Sequence, residues 1–309
     1  MHVVDFNCGI NAIQSGEVAQ IPATPIIDRA WDRSQSKQAM SGNLDAITGL
    51  FKAHGPGKIL VVTGAGISLA SGIPTFRGQD PGAIWKRDVT ELGTFRYFSQ
   101  DPVGSWRWYL SRFAKTVGAK PNPAHTALVR LENFCERQGG ELLLVTQNID
   151  GLHRQAGARN LIEVHGRADR VRCPSPGCPN GAPAGSLPRA DFDLEGFLAA
   201  PSPATLPRCP SCRAVMRQHV LWFDEFYASH DDYQWSRVLD AAAHSDAVLF
   251  VGTSFSVGVT DLILGAARER GRPVLSVDPA TAAPMPGIES LRVRAEELLP
   301  AACEALRAD

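Results

Sequence analysis

The sequence predicts an α/β fold, a doubly wound parallel sheet interrupted by a smaller inserted module. First, short apolar runs rich in β-branched residues recur at Lys58–Thr63, Glu141–Thr146, Ala247–Gly252 and Val274–Asp278. Their apolarity is continuous rather than alternating, as expected of strands covered on both faces. Second, helical stretches separate them, at Ala124–Gln138, Ser236–His244 and Asp261–Arg270. Strand–helix alternation of this kind builds a parallel sheet with helices on each side. Third, the rhythm stops between residues 167 and 218, a proline-rich stretch that holds four of the seven cysteines.

Residues 1–40 are mixed, and Pro22 and Pro25 work against a long helix there. They form an N-terminal extension of unassigned role. Leu44–Ala53 reads as a helix leading into the first strand. Residues 41–166 and 219–309 then form one Rossmann-like domain around the insertion at 167–218. A chain of 309 residues is long enough for about two domains. Its 31 basic and 32 acidic residues give a net charge of −1, with no basic run of the kind that binds nucleic acid. No apolar run approaches the roughly 20 residues of a membrane helix. Met1–Gly9 lacks the layout of a secretory signal. A cytoplasmic location is expected, with no membrane or nucleic-acid partner.

Gly64-Ala65-Gly66 follows the first strand directly. That placement lets backbone N–H groups approach a pyrophosphate. A hydride-transfer fingerprint needs a third small residue three positions later, and that position is Leu69. Pro74 follows soon after Gly72, so a helix starting near Ser68 is cut to about one turn. The loop therefore predicts a dinucleotide and argues against a dehydrogenase. Thr146-Gln147-Asn148-Ile149-Asp150 ends the second run, Glu163-Val164-His165-Gly166 comes shortly after it, and Gly252-Thr253-Ser254 ends the third. Strand C-termini are where such sheets bind ligands, so these clusters are expected to share one cleft.

The four clustered cysteines come in two pairs, Cys173 with Cys178 and Cys209 with Cys212. The spacings fall in the range used by zinc sites, and four thiolates saturate a tetrahedral ion. The expected metal is one structural Zn2+, stapling an insertion that has little periodic apolarity of its own.

The chain resembles the sirtuin family. The resemblance rests on Gly64–Ser68, Gly72–Gly78, Pro121–His125, Thr146–His153, Glu163–Gly166, Gly252–Ser254 and the cysteine quartet. These occur in family order, and residues 1–40 lie outside them. The resemblance implies an NAD-dependent protein-lysine deacylase. It places NAD against Gly64, Ala65, Gly66, Ser68, Thr75, Phe76, Arg77 and Trp85. Gln147, Asn148, Ile149 and Asp150 surround the nicotinamide end. Gly252, Thr253, Ser254, Asp278 and Ala295 hold the rest. An acyl-lysine oxygen attacks the ribose carbon that bears nicotinamide, and His165 then takes a proton from a ribose hydroxyl. The products are lysine, nicotinamide and O-acyl-ADP-ribose. His125 and His153 are expected to be mainly structural.

Trp106–Arg112 reads as a helix, and Tyr109 and Arg112 share one of its faces. A Tyr-x-x-Arg pair here resembles the sirtuin branch that removes succinyl and malonyl groups. A guanidinium and a phenol suit an acyl carboxylate, and Gly93 stands where that branch widens its pocket. Val220, Trp222, Phe223 and Glu225 resemble the segment that pairs with the acylated-lysine peptide. Asp224 departs from the usual glycine of that segment, Asp278 from an asparagine, and Val259 from a common proline. Mono-ADP-ribosyl transfer and NAD hydrolysis are the alternative activities. A sensor of NAD without turnover is a third reading, opposed by the intact His165 and Gln147–Asp150.

Overall fold

The computed structural model describes residues 33–74, 88–114, 116, 118–255, 257–280 and 286–308. Nine strands are present among them: β1 Lys58–Thr63, β2 Glu141–Thr146, β3 Leu161–Glu163, β4 Gly166–Arg172, β5 Leu187–Pro188, β6 Arg217–Val220, β7 Ala247–Val251, β8 Val274–Val277 and β9 Glu289–Leu291. The α-helices are α1 Arg33–His54, α2 Asp88–Leu92, α3 Phe95–Gln100, α4 Pro102–Phe113, α5 Pro123–Arg137, α6 Leu152–Ala156, α7 Leu194–Ala199, α8 Trp235–His244, α9 Gly258–Glu269 and α10 Ala295–Leu306.

Six strands form a parallel sheet in the order β3-β2-β1-β7-β8-β9. The order reverses between β1 and β7, which makes that pair the switch point where such sheets bind ligands. Register completes the arrangement: Thr63 at the end of β1 lies opposite both Thr146 of β2 and Val251 of β7. The glycine loop and two of the expected polar clusters therefore begin side by side.

Strand residues alternate between two apolar layers. Ile59, Val61, Leu142, Leu144, Leu249 and Val251 pack with Phe51, Leu128, Leu131, Leu298 and Leu299 of α1, α5 and α10. Leu60, Val62, Leu143, Val145, Val248 and Phe250 pack with Val238 and Ile263 of α8 and α9. Both faces are covered, which is why the runs show no alternation in the sequence. Helix α1 begins at Arg33, well before the expected Leu44, and Met40 and Leu44 rest on the first layer. Helix α5 starts with a capping box between Asn122 and His125, with Pro123 at its first position.

The inserted segment carries a three-stranded antiparallel sheet, β5-β4-β6. Its core is shared with two helices from outside the insertion. Phe98 of α3 and Trp106, Tyr109 and Phe113 of α4 pack with Val171, Phe197, Leu206, Met216 and Trp222. Trp106 Nε1 donates to the Met216 carbonyl at 2.8 Å, fixing α4 across the small sheet. Burial of these aromatics gives the module more of a core than its own composition suggested. No helix among the described residues is long and apolar enough to cross a membrane.

Candidate active site

The glycine loop crosses the end of β7 at backbone contact. Gly64 N donates to Val251 O at 3.0 Å, and Gly66 N to Gly252 O at 2.8 Å. A Cβ on Gly66 would lie 2.7 Å from Gly252 Cα, and one on Gly252 would lie 2.3 Å from Ile67 N. Gly252 also has φ +60°, a conformation that favours glycine. It ends β7 one residue before the sequence suggested. Beyond the crossing, Ala65–Ser71 forms a 3-10 helix that stops at Gly72, φ 82°. The expected short turn is present, but it opens at Ala65 rather than near Ser68.

Polar side chains from the strand ends lock this loop in place. Asn148 Nδ2 donates to Gly64 O at 3.0 Å and to Ser68 Oγ at 3.1 Å. Ser68 Oγ donates to Asp150 Oδ2 at 2.8 Å. Gln147 Nε2 donates to Thr63 O and Thr253 Oγ1, both at 3.2 Å. Burial raises the Asp150 pKa, while the Leu152 N–H and Ser68 oppose it. Ile149 O accepts from Ala168 N at 2.9 Å, joining the cluster to β4. Ser254 is exposed at the rim. Asp278 follows β8, and its Oδ1 accepts from Ala280 N at 2.7 Å. Ala295 opens α10 and is buried; that helix packs against the 3-10 segment. Thr75, Phe76, Arg77 and Trp85 lie outside the described residues.

His165 lies between β3 and β4. Its Nδ1 is 2.9 Å from Gln147 O. A carbonyl only accepts, so Nδ1 carries the proton and Nε2 presents its lone pair. Burial lowers the pKa to about 4, which keeps the ring neutral and able to accept a proton. Nε2 lies 3.2 Å from the hydroxyl of Tyr227. No motif in the sequence pointed to Tyr227, whose contact is made across 62 positions of chain. Beneath the site, Thr63 Oγ1 donates to Thr146 Oγ1 at 2.8 Å and lies 2.9 Å from His153 Nε2. His125 packs on His153, and its Nδ1 accepts from Asn122 N at 3.3 Å. Both histidines have partners in the fold.

On the other side of His165, Leu221 N donates to His165 O at 2.9 Å. The following segment carries the expected substrate residues. Val220 and Trp222 are buried, and Phe223 is 54% exposed. Phe223 N donates to Gly93 O at 3.0 Å. Tyr109 is buried against Trp222 and Phe113, with ring centroids 6.2 and 5.1 Å away. Burial raises its pKa, so the phenol stays protonated. Arg112 is half-buried, its guanidinium carbon 4.8 Å above the Trp108 ring. Glu225 is used internally. Its carboxylate accepts from Trp222 N at 3.0 Å and pairs with Arg172 at 3.0 Å and with Arg217. Burial pushes its pKa up, and the two arginines more than offset this. Any link between Glu225 and a substrate therefore runs through the loop that it braces. The Asp224 departure has a structural purpose. Its carboxylate accepts from Phe95 N at 2.7 Å and Arg96 N at 3.1 Å, while Thr94 accepts from Tyr97 N. Together they satisfy the first turn of α3.

Cys173 Sγ is 3.4 Å from Cys212 Sγ, and Cys178 Sγ is 3.6 Å from Cys209 Sγ. All four sulfurs lie within 4.8 Å of one another. Four thiolates around zinc at ~2.3 Å stand roughly 3.8 Å apart, so the quartet fits that ion. Asn180 Nδ2 and Ser175 N donate to Cys209 and Cys173 sulfurs, each at 3.4 Å, as thiolates require. His219, His230 and Asp232 also lie close together. There, however, both His230 nitrogens are engaged: Nδ1 accepts from Asp232 N at 3.2 Å and Nε2 donates to Gly185 O at 3.1 Å. The nearby Arg172 charge disfavours a further cation. This group is a clasp between the insertion and the chain after β6, reinforced by Asp231 N on Pro183 O at 2.7 Å.

The family profile described as Sir2 matches residues 64–259. The chain belongs to the Sir2 family. Among Sir2 relatives, the NAD-dependent protein deacylase of Thermus thermophilus is 40% identical over 223 residues, 72% of this chain and 79% of that protein. The NAD-dependent protein deacylase of Pyrococcus furiosus is 38% identical, covering 80% of this chain and 92% of that protein. A crystallised Sir2 homologue in complex with NAD is 32% identical, with a TM-score of 0.64, covering 81% of this chain and 89% of the other.

Proposed function

We propose that the chain is an NAD-dependent protein-lysine deacylase in which His165 is the general base. The observation that carries this reading is the tautomer of His165. Its Nδ1–H is held by Gln147 O, so an unprotonated Nε2 is available beside the strand-end cluster. NAD, consumed as a co-substrate, supplies the ADP-ribosyl group that takes up the acyl and the nicotinamide that leaves. Gly64 and Gly66 shape the loop by bonding to β7, and with Ala65 and Ser68 they are assigned to the wall of the NAD cleft. Gln147, Asn148 and Asp150 hold that loop and face the nicotinamide end. Gly252, Thr253, Ser254, Asp278 and Ala295 are assigned to its remaining length, as are Thr75, Phe76, Arg77 and Trp85. His165 Nε2 takes a ribose-hydroxyl proton, and the hydroxyl oxygen then attacks the acyl carbon. Cys173, Cys178, Cys209 and Cys212 ligate one structural zinc. They leave it no open position for chemistry and must remain reduced, which suits a cytoplasmic setting.

Acidic acyl groups are the proposed preference, alongside acetyl. Tyr109 is held protonated by burial and can donate to an acyl carboxylate. Arg112 stands three residues on along α4 and supplies the charge. The peptide is proposed to pair with the backbone around Val220–Phe223, where Phe223 keeps an exposed ring. The test is incubation with NAD and matched acetyl-, malonyl- and succinyl-lysine peptides, with products followed by mass spectrometry. O-acyl-ADP-ribose is expected with all three. Its absence with every peptide, with or without free ADP-ribose, refutes the deacylase reading. Tyr109→Phe and Arg112→Met are expected to lower succinyl turnover about 10-fold or more while acetyl turnover changes little. Equal losses on both substrates refute the acyl preference alone.

A further inference from the structure

The deacylase reading leaves Tyr227 without a task. It opens a 3-10 turn, Tyr227–Ser229, and its hydroxyl stands 3.2 Å from the Nε2 that must receive the proton. The ring is held on two sides. It lies at 25° to the imidazole with centroids 5.8 Å apart, and it stacks on Trp235 at 4.3 Å and 14°. With Nδ1 donating to Gln147 O, Nε2 has only a lone pair to offer, so the phenol is the donor in this contact.

We infer that Tyr227 is a positioning residue for the base: it holds His165 in its reactive tautomer at rest, then accepts the Nε2–H once the ribose proton has been transferred. The inference rests on His165 being the base. Nε2 has one lone pair and cannot take two donors, so the phenol proton turns away when the ribose hydroxyl arrives. The ribose O–H bond then breaks, an N–H bond forms at Nε2, the freed oxygen pair bonds to the acyl carbon, and the π pair of that carbon's bond to the lysine nitrogen moves onto the nitrogen. Tyr227 keeps its own proton throughout, and the step balances without a further reactant. The new imidazolium is a cation in a site whose burial opposes it. An acceptor already placed at 3.2 Å lowers that cost without reorganisation. The hydroxyl can reverse its role because it carries both a donor and acceptor lone pairs.

The test separates the step before the base acts from the step that needs it. Labelled nicotinamide exchange into NAD, in the presence of acyl-peptide, requires only bond cleavage and its reversal. O-acyl-ADP-ribose formation requires the base. Tyr227→Phe keeps the Trp235 stack and removes only the hydroxyl. It is expected to slow product formation about tenfold with exchange held within about twofold. Both rates are read on one sample, so a partly misfolded fraction cancels in their ratio. A parallel fall in both rates, or no change in either, overturns the inference. His165→Ala is run alongside. If that variant still forms product, the base assignment itself fails, which is a separate result from a failure of Tyr227.

Discussion

Gly66→Ala offers a direct measure of how closely the nucleotide loop is set against β7. The added Cβ would meet Gly252 Cα at 2.7 Å, Gly252 O at 2.8 Å and Gly252 C at 3.0 Å. All three are backbone atoms, so no side chain can swing aside. Relief to an ordinary carbon contact of about 3.5 Å displaces the loop by roughly 0.8 Å. The Gly66 N–Gly252 O bond, now 2.8 Å, then stretches to about 3.6 Å and ceases to be one. Overpacking costs ~1–3 kcal/mol and the lost bond ~0.5–1.5 kcal/mol. Partial relaxation leaves about 2 kcal/mol, or a Tm lower by about 4–8 °C. The larger effect is expected on NAD, whose Kd should rise at least about tenfold because the loop proposed to line its cleft is displaced. Thermal unfolding without ligand and titration calorimetry with NAD measure the two effects. Gly49→Ala in α1 is the control; its Cβ would meet nothing within 4 Å, and it should be neutral or slightly stabilising. If Gly66→Ala binds NAD with an unchanged Kd, the loop is not the phosphate cradle proposed for it.

Three further outcomes are expected. Cys209→Ala should abolish zinc retention, read as metal per chain after gel filtration, and should lower thermal stability, because the sulfur set is then incomplete. Stability should fall as the pH drops from about 6.5 toward about 4. His125, His165 and His219 each have a pKa lowered by burial from 6.5 to about 4, so the unfolded chain binds protons in that window that the folded chain does not. Thermal unfolding against pH checks this, and a flat profile between pH 7 and 5 refutes it. Asp224→Gly should cost about 1 kcal/mol through loss of the α3 cap and leave the NAD Kd unchanged; both follow from the same unfolding and titration experiments.

The sheet was largely legible because its strands are buried on both faces. β1 and β2 coincide with the apolar runs residue for residue, and β7 and β8 fall one residue short of theirs. In the first of these, the left-handed backbone of Gly252 stops the strand, which an apolar run cannot reveal. β3 and β9 have three residues each, too few to carry a pattern. The start of α1 was missed because its first turns hold few apolar residues. The strand-end clusters, the cysteine quartet and His165 were visible because each is a local motif. Tyr227, the Asp224 cap and the Glu225–Arg172–Arg217 network were not. Each depends on side chains brought together by tertiary packing, and periodicity carries no record of such pairs. The sharing of a core between α3, α4 and the insertion escaped for the same reason.

The place of His165 at the joint between the two sheets also bears on how this architecture can diversify. The chain leaves the large sheet at His165–Gly166 and returns at Val220–Leu221, where Gly166 pairs with Val220 and Leu221 N bonds to His165 O. The cysteine-bearing segment thus joins the large sheet through a two-stranded stem whose root includes His165, and it is tied further by the core that it shares with α3 and α4. Length changes in an outer loop such as that around Ser202 can be absorbed without moving that root. A one-residue slip in the stem would displace the proposed base and the proposed peptide-pairing segment together. Grafts from relatives should therefore exchange the segment as a unit cut beyond Arg172 and before Arg217, leaving the stem in its native register.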